Sequence, residues 1–369
     1  MTTLFDYLSW RGDLPLSADP FHEVDGVILA RFTYMPFHRV LRRDSLTPTT
    51  VEAVCRALLA LPDIETAVRR RGDTDLLRAL VESPRYKGME LTAYADRLDA
   101  ESQTQFSAIT VKLEEGHYCV AYRGTDNTLI GWKEDFNMGF VCPVPGQKLA
   151  VDYLQRAARR LPGRLTVCGH SKGGNLAVFA GAYLLARQQK RLVTVYNNDG
   201  PGFSARFLAG DGYRAVAPKV RKFLPESSIV GAFLESETES HIIESSGVAI
   251  NQHDPLTWQI SGSHLVAAAE RSSFGRHSDA VIDGWLETLS DSDRKKLTEL
   301  VFTVLHSSDN HTLEDIKNTP LWANLSSMAR TYAGLGKEQR QFFDDAVKRL
   351  MLQVKEEALR GRKKRAAAK

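Results

Sequence analysis

The run Leu165-Thr-Val-Cys-Gly-His-Ser-Lys-Gly-Gly-Asn-Leu-Ala-Val-Phe-Ala180 decides how this chain folds. Leu165 to Cys168 is apolar and β-prone, and Asn175 to Leu185 is a good helix former. Between them stands Gly169-His170-Ser171-Lys172-Gly173, a G-x-S-x-G sequence at a strand-to-helix turn, which is the setting this motif requires. So tight a turn needs positions without side chains two before and two after the serine, and Gly169 and Gly173 stand there. Ser171 is thereby expected at the carboxyl end of a sheet strand and the amino end of a helix, where free N–H groups and the helix dipole favour developing negative charge.

With 369 residues the chain is long enough for one large α/β domain with an appendage, or for two domains. Its 43% hydrophobic and 25% charged content allows a sizeable core. Lys and Arg total 48 against 45 Asp and Glu, a net charge of +3 that is too near balance to argue for nucleic acid as a partner. The opening Met1-Thr-Thr-Leu-Phe-Asp-Tyr-Leu8 has an acid where a secretory leader is basic, and no run approaches the roughly 20 apolar residues of a spanning helix. Cys55, Cys119, Cys142 and Cys168 show no paired spacing and read as reduced thiols, so a cytoplasmic protein is expected.

Helices are predicted over 21–34, 47–60 and 73–82 from apolar spacing and cap residues. From about Leu91 the texture changes. Residues 105–113 and 118–122 read as a hairpin around Gly116, followed by a helix over 146–160, the Ser171 strand and helix, and strands at 191–196, 219–224, 242–245 and 249–253. Strands alternating with helices argue an α/β fold with a mostly parallel sheet and helices on both faces. After Trp258 the pattern is helical, over 278–289, 292–305 and 337–359, and Arg360-Gly-Arg-Lys-Lys-Arg365 is a basic tail expected to be disordered.

A serine hydroxyl needs a base, and the base needs an orienting group. Six histidines follow Ser171: His241, His253, His264, His277, His306 and His311. His253, in Asn251-Gln-His-Asp-Pro255, is the best placed, in a loop just beyond a strand; His241 is flanked by Glu239 and Glu244, and the last three fall among the C-terminal helices. For the acid, Asp199 at the end of the next strand ranks first, and Glu226 past the following strand is the alternative. Two oxyanion donors are expected, from Lys172 after the nucleophile and from Thr125, in a loop whose Gly124 allows close approach.

Tyr122-Arg-Gly-Thr-Asp126, Trp132-Lys-Glu-Asp135 and Gly169-His-Ser-Lys-Gly-Gly-Asn-Leu-Ala177 together resemble the class 3 (fungal-type) lipases over roughly residues 105 to 260. With Asp6-Tyr-Leu, Asp199-Gly-Pro-Gly-Phe203 and Gln252-His-Asp254, the whole chain is similar to a bacterial lipase-like family whose function is not established. The resemblance implies an α/β-hydrolase fold, Ser171 as nucleophile and Thr125 as oxyanion residue. It departs at the acid: where those lipases carry D-x-V, this chain reads Ser228-Ile-Val230, and their H-x-x-Y around the base is absent.

The expected organisation is an N-terminal helical segment (1–90) packed on or capping the core, an α/β-hydrolase core (91–260), a C-terminal helical region (261–359) and the basic tail (360–369). The expected function is a serine acyl hydrolase acting on a small acyl ester or lipid, with no cofactor and no metal, no nucleic acid, and at most weak contact of the tail with a membrane surface. The competing readings are a catalytically inactive interaction module on the same fold, and a peptidase or thioesterase using the same triad.

Overall fold

The computed structural model describes residues 2–69, 72–126, 128–234, 239–305 and 321–367. Eight strands form one sheet in sequence order: β1 (Thr49–Thr50), β2 (Glu90–Asp99), β3 (Thr104–Glu114), β4 (His117–Tyr122), β5 (Arg164–His170), β6 (Leu192–Asn198), β7 (Val220–Pro225) and β8 (Ser240–Ile243). β1 to β4 pair antiparallel, and β4 to β8 are parallel. This is the expected α/β-hydrolase arrangement, a largely parallel sheet wrapped by helices.

Alternation along the central strands sorts side chains into two apolar layers. Ile109, Val111, Cys119, Ala121 and Cys168 face one layer; Ala108, Val120, Tyr122, Leu165 and Val167 face the other. Residues from the N-terminal segment fill the first layer. They come from α1 (Leu4–Arg11), α2 (Glu23–Phe32), which is buried from Val24 on, α3 (Val51–Leu59) and α4 (Asp73–Glu82). The second layer is covered by α5 (Pro145–Arg160), whose Tyr153 and Ala157 are buried, and α6 (Lys172–Ala182).

The helix Leu129–Asn137 contains the Trp132-Lys-Glu-Asp135 motif and starts on Thr128, whose hydroxyl accepts from the Gly131 N–H. Over it lie α7 (Ser273–Glu287) and α8 (Asp291–Leu305), joined farther on by α9 (Leu321–Gly334) and α10 (Lys337–Ala367). The Lys133 ammonium meets Glu299 at 2.7 Å, the Arg294 guanidinium donates to the Gly139 carbonyl at 3.2 Å, and Phe136 packs edge-on to Phe302.

The structure departs from the sequence expectations at three places. Residues 249–253, expected as a strand, form a single 3-10 turn. Ala249 has φ of +51°, and the Val248 and Ile250 side chains are exposed, so the segment has no sheet neighbour to pair with. The basic tail is not irregular throughout. Its backbone continues the last helix to Ala367, because Lys, Arg and Ala are strong helix formers. Strand β2 adds an antiparallel neighbour to β3. The four cysteines are free thiols, with the Cys119 and Cys168 Sγ atoms 3.6 Å apart across β4 and β5.

The Lys172 side chain anchors the Ser171 turn from below. Its ammonium donates to the Gln105 carbonyl (2.8 Å), Gln105 Oε1 (2.6 Å) and Glu134 Oε2 (2.9 Å), and both members of the ion pair are fully buried. Glu134 also accepts the N–H groups of Gly146 at 2.6 Å and Gln105 at 3.0 Å. All three ammonium protons are therefore satisfied. A pair so enclosed adds little net stability, but removing one partner strands a buried charge. Glu134→Gln is expected to cost about 3 kcal/mol in urea unfolding, and adding Lys172→Met should restore part of it. A loss below about 1 kcal/mol for the single variant would contradict this network.

Candidate active site

Ser171 occupies the turn between β5 and α6 with φ +58° and ψ −133°, a conformation that costs a non-glycine residue about 1–3 kcal/mol. Packing imposes it. A Cβ on Gly169 would sit 2.1 Å from the Gly173 backbone, and one on Gly173 would sit 2.3 Å from the Tyr122 carbonyl oxygen, so strand and helix touch where both side chains are missing. The Ser171 N–H donates to the Asn198 carbonyl at 2.9 Å, and its own carbonyl receives the Gly174 N–H at 2.9 Å.

At the end of β6, Asp199 is fully buried with φ +54°. Its Oδ2 accepts from His253 Nδ1 at 2.6 Å and from the Ser228 hydroxyl at 2.7 Å. Donation from Nδ1 leaves Nε2 as the basic nitrogen of a neutral His253 ring. Of the two candidate acids, Asp199 is the one that meets the imidazole; Glu226 lies at the β7 edge, its backbone carbonyl held by the Ser272 N–H at 2.8 Å. The pKa of Lys222, buried on β7, is pulled down to about 8 by burial, against the opposing charge of Asp199.

His170 supports the same loop, a role its sequence context did not reveal. Its Nε2 lies 2.8 Å from the His253 carbonyl, which can only accept, so Nε2 carries the proton and Nδ1 receives the Tyr34 hydroxyl at 3.0 Å. The two imidazole rings lie 4.5 Å apart. Among the other histidines, His241 is exposed against Phe223, His264 is exposed beside Glu23, and His277 lies on α7. His306 and His311 lie outside the described residues.

Gly124 lets the loop before Thr125 close onto the Ser171 turn: a Cβ at position 124 would lie 2.1 Å from the Tyr34 hydroxyl and 3.0 Å from Ser171 Cβ. The Thr125 hydroxyl donates to Asp135 Oδ2, and the Thr125 carbonyl accepts from Arg69 at 3.0 Å. Asp135 belongs to the Trp132 motif, yet nothing in the motif alone linked it to Thr125. Lys172 contributes only its backbone here, since its ammonium is committed to Gln105 and Glu134; its N–H lies in the first helical turn, where amides have no intrahelical acceptor.

Ser171 stands at the meeting of two cavities. One, of about 650 Å³, has a partly polar wall that includes Thr125, Asp135, His253, Arg31 and Arg69 as well as the serine. The other, of about 790 Å³, is apolar, walled by Phe136, Ile229, Phe233, Ile282 and Trp285, and lacks His253. Among the described residues no cluster of three or more His, Cys, Asp or Glu is arranged for a metal, and no helix is long and apolar enough to cross a membrane.

A glycine-flanked serine, an imidazole and a buried carboxylate thus converge within the span from β2 to α8. The model of the lipase-like family described as Mbeg1-like matches residues 80–303. The chain belongs to the Mbeg1-like family. That match takes in Thr125, Ser171, Asp199 and His253 and leaves out α1 to α3 and the last two helices. Among solved structures this Mbeg1-like chain is similar to the crystal structure of M37 lipase, at 12% identity and a TM-score of 0.35, covering 57% of this chain and 69% of that one. No curated protein matches it.

Burial pushes the Asp135 carboxyl up to about 6 from its ordinary 3.8. The folded chain therefore holds a proton that the unfolded chain has released, and this group's contribution to stability falls as pH rises from about 4 to 6. Asp135→Asn is expected to stabilise by about 1–2 kcal/mol at pH 7 and to be near neutral at pH 4, in urea unfolding at both values. Equal effects at the two pH values would contradict a half-buried Asp135 with a raised pKa.

Proposed function

We propose that this chain is a serine ester hydrolase in which Ser171 attacks an acyl carbonyl, His253 carries the proton and Asp199 orients the imidazole. The observation that supports it most is one cavity containing Ser171 on a positive-φ turn and His253 bonded through Nδ1 to a buried carboxylate. In the forward step His253 Nε2 takes the serine proton as Oγ bonds to the carbonyl carbon. The oxyanion is received by the N–H groups of Lys172 and Thr125. His253 then returns its proton to the leaving alcohol, an acyl-serine remains, and water releases the acid by the same sequence.

The two cavities suggest which part of the ester goes where. The leaving group must sit beside the imidazole that protonates it, so the cavity that includes His253 takes the alcohol. The apolar cavity, with Ser171 but without His253, takes the acyl group. The missing carboxylate at position 228 favours an interaction module without catalysis. That feature loses its force where Ser228 instead donates to Asp199.

Hydrolysis of p-nitrophenyl butyrate tests the assignment. Ser171→Ala and His253→Ala are expected to lower kcat/KM at least about 10³-fold, and Asp199→Asn about 10³- to 10⁴-fold through loss of the tautomer. Ser228→Ala should cost about tenfold, consistent with one hydrogen bond to a charged acceptor. Glu226→Gln should retain activity. Wild-type rates carried equally by Ser171→Ala would sink the proposal.

A further inference from the structure

The last helix, α10, is held along one side and open along the other. Trp285 Nε1 on α7 donates to the Ala346 carbonyl at 3.0 Å, Arg349 donates to the Thr288 carbonyl at 2.8 Å, and Gln353 closes over Gly284, where a Cβ would meet its Nε2 at 2.1 Å. The Lys296 ammonium on α8 lies 4.5 Å from the centre of the Phe342 ring, and the Tyr332 hydroxyl on α9 donates to Asp344 at 2.6 Å. Ala346 is buried on this inner side. Elsewhere on the helix Val347, Met351, Val354 and Ala358 recur at steps of four, three and four, which puts them in one row, and all four are exposed, Met351 to 62%. Leu352, 58% exposed, and Leu359 stand one heptad apart in a second row. So much apolar surface left open on one helix marks a binding surface.

Between the two apolar rows run Lys348 and Lys355, both exposed, and the same seven-residue step next reaches Arg362. Lys348 pairs with Asp345 at 3.7 Å and Arg360 with Glu357 at 2.5 Å. From Lys348 to Lys369 the chain has nine basic residues against two acids, Glu356 and Glu357, so this end of the helix is strongly positive. We infer that the open face of α10 docks on an anionic lipid bilayer, its apolar rows entering the headgroup boundary while its lysines and arginines meet the lipid anions. A helix whose apolar side chains alternate with Lys and Arg lies in the plane of a bilayer surface, where apolar burial and attraction to anionic lipid add. A second copy of the chain would set one basic row against another, and like charges repel. A nucleic acid would neutralise the charge but leave Met351 and Leu352 in water. The face lies outside residues 80–303, where the family model matches. On its inner side α7 gives Ile282 and Trp285 to the apolar cavity at Ser171, so a bilayer under α10 is separated from that cavity by a single helix.

Cosedimentation of the full-length chain with lipid vesicles in about 0.1 M NaCl tests this. Vesicles containing about 30 mol% phosphatidylserine should bind at least about tenfold more tightly than phosphatidylcholine alone. Met351→Ser combined with Leu352→Ser should weaken binding to the anionic vesicles at least about tenfold, and so should Lys348→Glu combined with Lys355→Glu. All four positions are exposed, and Tm is recorded to confirm folding; if one pair fails to fold, the other decides. Binding needs no turnover, so failure here leaves the hydrolase reading untouched. Equal affinity for the two kinds of vesicle overturns the inference. So does undiminished binding by the folded serine pair, which would assign the attraction to charge alone. A concentration-dependent dimer in light scattering that the serine pair abolishes would also overturn it, by placing a second copy on the face.

Discussion

The contact between Gly169 and Gly173 is the constraint on which the rest depends. Where β5 runs into α6, the two backbones come closer than any Cβ would permit, and the residue between them is driven to a positive φ. That strain is held by surroundings that leave Ser171 no alternative: its N–H is bonded to β6 and its carbonyl to the first turn of α6. Below the turn, Lys172 locks the helix start to β3 and to the Trp132 helix through a buried ion pair. A strained serine on a rigid support keeps the chain around its hydroxyl still.

Asp199 and His253 meet beside the same turn. β6 ends at Asp199 next to the Ser171 turn, and the 3-10 turn at 249–253 brings His253 to that carboxylate. Ser228, in the loop after β7, donates to Asp199, so the buried carboxylate at the end of β6 is held from both sides, by Ser228 and by His253. The N-terminal segment takes part as well. Tyr34 fixes the proton of His170, and His170 holds the carbonyl of His253, which ties the His253 loop to residues outside the region that the family shares.

Much of this was legible in the residues. The glycine spacing around Ser171 signals the turn, and the alternation of strands and helices signals the sheet, because both are local patterns with one physical solution. Asp199 could be ranked by its place at the end of β6, since a parallel sheet gathers its carboxyl termini at one edge, whereas His253 was ranked past a strand that does not form. What escaped is what depends on contacts far apart in the chain. Strand β2 has too little alternation at 90–99 to stand out, and residues 249–253 look apolar enough for a strand although they lack a neighbour. The links from Tyr34 to His170 and from Thr125 to Asp135 join polar side chains whose proximity no spacing rule encodes.

The account stands on a reactive hydroxyl at position 171, and reaction with a fluorophosphonate reads that property directly. Incubated with the probe and digested, the wild-type chain should yield one phosphonylated peptide, with the adduct on Ser171 and its formation slowed at least about a hundredfold in His253→Ala. A wild-type chain that forms no adduct, or forms it at a different serine, would contradict the central claim.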